Sequence, residues 1–313
     1  MKNLISVQIV LLAVAGLLIS FPTNIYAQSH IEVSLEKVLA LSLDSAQHGI
    51  IVHYAEGGED RAQELGQVLN EALQFFSDSL KVDLDFRLAL LREEHWKEIT
   101  NYPYAIPHVS YEDSKAIAFQ PLDQDGVVYD LMMSLKERIT PELRQKVDNT
   151  GLSYEEFSAK MVDLIGFHEI GHPYADVYGI GQPARWFNEF VANYFLYAFL
   201  HTKYPDDARI WDLSTEVILD DYDPKHRTLE DFEEYYVRVG ADNYGWYQAN
   251  FESKANDLFE ERGFSFIREL KANFPKGEGK LSNEVIINRL DKMAPGFNEW
   301  AEIFEEKNHN ETK

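Results

Sequence analysis

Two histidines four residues apart, with a glutamate directly after the first, are the part of this sequence best placed to do chemistry. They lie in Gly166-Phe167-His168-Glu169-Ile170-Gly171-His172. On a helix, residues four apart share a face, so His168 and His172 can aim their rings at one point. Glu169 sits about 100° round the same helix, near that point but off the line between the rings. This spacing suits a zinc ion held by two imidazoles, with a carboxylate beside it acting as general base. A third ligand is on offer after a gap of sixteen residues from His172, at Glu189 in Trp186-Phe187-Asn188-Glu189-Phe190-Val191-Ala192-Asn193. Three protein ligands leave a fourth position open, the arrangement of a catalytic zinc rather than a structural one.

The elements that must hold these groups are legible around them. Ser153 and Glu156 form a capping box, which starts a helix. Phe157, Met161, Leu164 and Ile165 then recur at helical spacing up to His168. Pro173 disfavours helix at the residue before it, which predicts a helix end near His172. Gly171 leaves room for another helix to approach. Pro183 predicts the start of a second helix over about 183–203, with Trp186, Glu189, Asn193 and Leu196 on one face. Asp176, in the intervening loop, is close enough to the motif to be a supporting group.

The stretches 168–172 and 186–193 resemble the gluzincin metallopeptidases, the group that includes thermolysin and the M1 aminopeptidases. The resemblance is specific over roughly 154–200. It implies His168, His172 and Glu189 as zinc ligands and Glu169 as the base. In thermolysin-like enzymes an acidic residue four after the glutamate ligand orients a histidine; here that position is Asn193, an amide. The resemblance also implies a Tyr or His donor for the oxyanion from the C-terminal part. Tyr244 is the first candidate, Tyr247 the second and His226 the third. His53, His95 and His108 read as structural or exposed. The Gly-x-Met-Glu-Asn stretch of M1 enzymes has no counterpart around 115–122.

The chain in order predicts an α+β fold. A strand at 49–55, a long amphipathic helix from Asp60 to about Lys81, strands at 85–91 and 115–121 and a helix at 127–140 precede the first zinc helix. The segment 28–46 fits either a strand or a helix. Residues 95–99 read as a short helical turn and 141–151 as a polar connection. From 206 onward the pattern is helical, over 206–219, 228–239, 244–262, 264–273, 282–292 and 295–306. This order resembles a thermolysin-like zincin catalytic subdomain with a small mixed sheet, over 28–182, followed by an all-α subdomain, over 183–313. By the same resemblance 115–121 would be the edge strand along which an extended peptide lies.

Residues 1–27 read as a secretory signal peptide: Lys2, then an unbroken apolar run from Ile9 to Ile19, then Pro22 and Ala27. That run is too short to span a bilayer. No cysteine occurs among the 313 residues, so zinc must be held by His and Glu, and the exported chain suits a bacterial envelope or secretion. The formal charge of −24 repels nucleic acid and anionic lipid. The predicted partner is a peptide or protein substrate, with one Zn2+ per chain. The alternative is a zinc-binding envelope protein that holds peptides in its cleft and cleaves little or none. A metal-free helical protein is the third reading.

Overall fold

The computed structural model describes residues 30–220 and 223–305. The signal-peptide reading of 1–27 lies outside the described residues. Helix α1 (His30–Ala40) and strand β1 (Asp44–Gln47) open the described chain, so the ambiguous segment holds both element types. Strand β2 (Ile51–Tyr54), helix α2 (Glu59–Leu80), strand β3 (Asp85–Leu91) and helix α3 (Glu93–Ile99) follow. Strands β4 (His108–Glu112) and β5 (Lys115–Pro121) complete a mixed five-stranded sheet of order β1-β2-β3-β5-β4. Strands β2, β3 and β5 run parallel, and β1 and β4 are antiparallel to their neighbours.

The expected edge strand is corrected here. Strand β5 pairs with β3 on one side and β4 on the other, and β4 is the edge. Residues Ala116 to Pro121 are all buried, as a strand paired on both sides requires. The turn Asp113-Ser114 joins β4 to β5, with Asp113 at φ 52°. Asp tolerates this left-handed conformation better than most residues because its short side chain bonds locally.

Helices α4 (Val127–Leu135) and α5 (Pro141–Asp148) lead to the first motif helix. The polar stretch after Pro141 is therefore a helix; Thr140 caps it through the N–H of Leu143, and Pro141 occupies its first turn, where a missing N–H costs nothing. Helix α6 (Tyr154–His168) has the expected capping box, with the Ser153 and Glu156 side chains each bonded to the other's backbone N–H. Helix α7 (Gly171–Tyr178) carries on beyond His172, so the helix does not end there as Pro173 suggested. Regular assignment breaks only at Glu169 and Ile170, which keep helical φ and ψ. Pro173 has no N–H for the Glu169 carbonyl four residues back, and the Ile170 N–H bonds the Phe167 carbonyl three residues back instead of four.

Helix α8 (Arg185–Lys203) is buried on all sides between Trp186 and Leu200 apart from Asn188. A helix apolar around its full circumference must lie inside a core, and α7 packs directly against it. Gly171 permits that: a Cβ there would stand 2.6 Å from the Cα and carbonyl oxygen of Ala192. Helices α9 (Pro205–Leu219), α10 (Leu229–Tyr235), α11 (Ala241–Arg262), α12 (Ser265–Asn273), α13 (Asn283–Met293) and α14 (Phe297–Ala301) surround α8 on the C-terminal side. The fold is α+β and mostly helical, and the largest core cluster contains residues from the sheet, the motif helices and the C-terminal helices. Among the described residues no helix is long and apolar enough to cross a membrane.

Candidate metal centre

Helices α6 to α8 bring His168, His172 and Glu189 together. Glu189 Oε2 lies 3.2 Å from His168 Nε2 and 3.8 Å from His172 Nε2. The two rings stand edge to face, centroids 5.0 Å apart. Ligand atoms on His168, Glu169 and His172 also lie within 4.8 Å of one another. Four groups thus border one small volume. The donor set fits zinc: ligands of a tetrahedral ion at ~2.0–2.1 Å stand about 3.3 Å from each other, which the Glu189–imidazole separations bracket.

Two of the three candidate ligands, His168 and Glu189, are held from behind. His168 Nδ1 pairs with Asn193 Oδ1 at 2.6 Å, a bond in which the ring N–H donates; Nε2 donates to Glu189 Oε2 in the metal-free protein and would offer its lone pair to the shared point once a metal replaced that proton. Asn193 Nδ2 donates to Gln248 Oε1, and Gln248 Nε2 donates to Glu189 Oε2. The circuit returns to His168 through Glu189. An amide at 193 suits this circuit because it accepts from the histidine and donates to Gln248; a carboxylate could only accept. On the other side, Tyr236 Oη donates to Glu189 Oε1 at 2.6 Å. Tyr236 has φ 51°, costly for a non-glycine residue. Its ring is packed by Phe232 and Tyr244 and covered by the Arg185 guanidinium.

The groups of the site are buried or nearly so, and their charges are set by that. His168, Glu169, Glu189 and Asn193 are buried and His172 is nearly so. Burial alone would neutralise His168 and Glu189. Their mutual hydrogen bond and attraction reverse this, holding the imidazole well above and the carboxyl well below their ordinary values. Burial pushes His172 down to about 4 and Glu169 up to about 8.

The structure places the remaining candidates clearly. Tyr244 stands at the site: its ring packs on Tyr236, its hydroxyl accepts from Gln248 Nε2 at 2.8 Å, and it lines both cavities that open beside Glu169 and Glu189. Tyr247 does not; its hydroxyl donates to the Thr228 carbonyl and its ring stacks on Phe304. His226 is bound to Asn243 through its backbone and lies beside Asp231. Asp176 pairs with Lys276. Tyr236 and Gln248 are supporting groups that sequence reasoning missed. Gln248 is four residues from Tyr244 on α11, a spacing that could have flagged it. Nothing in the sequence separates Tyr236 from the other tyrosines.

The first of these cavities is an open groove of about 220 Å³, lined by Tyr102, His108, Val109 and Tyr111 opposite His172, Arg185 and Asn188. Strand β4 therefore contributes one part of the lining, and the face that carries Glu169, His172 and Glu189 another. No family model, curated protein or solved structure matches this chain.

Proposed function

We propose that this protein is a zinc metallopeptidase of gluzincin type, with His168, His172 and Glu189 as zinc ligands and Glu169 as general base. The observation that carries the reading is the convergence of two imidazoles and a buried carboxylate, at ion-ligand spacings, on the wall of a groove edged by a strand paired on one side only. Zinc bound there would polarise a peptide carbonyl and make water acidic enough to attack it near neutral pH.

The chain's own groups do the rest. Strand β4 offers its free edge to an extended peptide, which places a carbonyl in the groove. Glu169 takes a proton from the attacking water and passes it to the leaving amine. Burial suits it to this, because a carboxyl raised toward neutrality accepts and releases a proton readily at that pH. Tyr244 turns its hydroxyl from its neighbours to the developing oxyanion, a donation worth roughly 3 kcal/mol in comparable sites.

A peptide-library digest with and without chelator tests the activity, and metal analysis tests the site. The expected result is about one zinc per chain, cleavage abolished by chelation, and cleavage lost in Glu169→Ala with zinc retained. Full zinc with no turnover across the library would favour a peptide-holding protein instead. A zinc-free protein would end both readings.

A further inference from the structure

A second cavity, of about 120 Å³, opens beside the same site and shares Glu169, Glu189 and Tyr244 with the groove. Its mouth is formed by His168, Glu169 and Tyr244, and its walls by Val128, Leu131 and Met132 of α4, Ile165 of α6 and Ile218 of α9. In volume it is close to an apolar cavity of ~150 Å³ that holds one benzene, so it takes a single ring and not a lipid chain or a second peptide segment.

Two polar groups interrupt this apolar lining. Trp211, 1% exposed, has an indole N–H with no hydrogen-bond partner. Glu252, 5% exposed, accepts from the Thr215 hydroxyl at Oε2. No hydrogen bond among the described residues reaches its Oε1. Thr215 follows Trp211 by one turn of α9 and also bonds the Trp211 carbonyl, so Trp211 and the Glu252 carboxyl are linked through one side chain, and both line the cavity. A buried donor without a partner is costly unless an occupant pairs it.

The occupant's chemistry follows by elimination. A phenylalanine ring fills the volume but pairs neither group. A lysine or arginine head satisfies Glu252 but brings only donors, so it leaves the indole N–H unpaired. A phenol both donates and accepts. We propose that this cavity is a subsite for a tyrosine side chain, with Glu252 accepting from the phenol O–H and Trp211 donating to its oxygen. That the ring arrives on a peptide rests on the peptidase reading; that the cavity selects a phenol does not.

The test therefore uses free ring probes on the full-length protein and needs no turnover. p-Cresol, toluene and n-butylamine are titrated while the indole N–H resonances are followed, the Trp211 signal being identified by its loss in Trp211→Phe. The expected result is that p-cresol moves the Trp211 resonance and binds at least about tenfold more tightly than toluene or n-butylamine, from two added hydrogen bonds. In Trp211→Phe and Glu252→Gln the preference over toluene should shrink to under about threefold. Equal binding of toluene and p-cresol by the wild type, stronger binding of n-butylamine, or an unmoved Trp211 resonance would overturn the proposal. The wild-type affinity comparisons among the three probes stand even if a variant fails to fold. Selective p-cresol binding without cleavage of tyrosine-containing peptides would sink the peptidase reading alone.

Discussion

At the residue scale, the supporting groups decide how well the three ligands are preorganised. Tyr236→Phe removes one hydrogen bond to Glu189, and Asn193→Leu removes the one that orients His168. Each should weaken zinc binding by roughly 10–100-fold, read by competition with a chromophoric chelator; unchanged affinity in both would mean the circuit is incidental. Glu252 gives a pH prediction. Burial raises its carboxyl to about 7, against the Thr215 hydrogen bond and the opposite charge of His168, with Asp212 adding to the rise. A folded value above the unfolded one means the folded state binds the extra proton. This contribution to stability is complete below about pH 4.5 and is lost as pH climbs through about 7, a loss of about 3 kcal/mol at full extent. In chelated protein, Glu252→Gln should therefore gain stability over the wild type as pH rises from 5 to 8, measured by urea unfolding. A gap between the two that stays constant with pH would refute the assignment. The clustering of His168, Glu169 and His172 could be read from the sequence because helical spacing fixes their directions. Tyr236 could not, because its placement depends on a positive φ at the end of α10 that no local pattern announces.

Elements are where the sequence was most and least informative. The capping box and the spacing of Phe157, Met161 and Leu164 mark α6 because a helix start and a buried face are local properties. The edge strand was misassigned because pairing is not local. The run Lys115 to Pro121 reads as a strand, but only its two neighbours make it interior, while His108 to Glu112 carries too mixed a pattern to stand out. Gly171 is the element-scale determinant of the site, since it sets how closely α7 and α8 approach and hence how His172 meets Glu189. Gly171→Ala puts a methyl group 2.6 Å from Ala192 backbone atoms, which no side-chain rearrangement relieves. Overpacking of this kind should cost about 1–3 kcal/mol, despite the gain in helix propensity, and zinc affinity should fall with it. Denaturant midpoints and zinc competition on the variant check both; a stabilised protein with intact affinity would show that the two helices are free to separate.

Across the whole molecule, charge and core oppose each other. One cluster joins the sheet, the motif helices and the C-terminal helices, so the ligands from α6, α7 and α8 sit on a shared scaffold rather than on separately moving parts. Around it the chain carries 53 acidic against 29 basic residues. Many of the ion pairs are solvent-exposed, such as Lys97–Glu93 and Lys146–Glu216, and pairs of that kind contribute at most about 1 kcal/mol each. The excess negative charge repels itself more in the compact state than in the expanded chain. Salt shortens the range of that repulsion from roughly 30 Å at 0.01 M to roughly 3 Å at 1 M. The long-range repulsion is then screened while the buried core is left intact. Sodium chloride should thus raise the thermal midpoint of the metal-free protein by several degrees between those limits, with most of the rise below about 0.2 M, where the screening length changes fastest. A midpoint that falls with salt would mean that attraction between the surface pairs outweighs the net repulsion, and the acidic surface would then be a structural network and not merely a solvated coat.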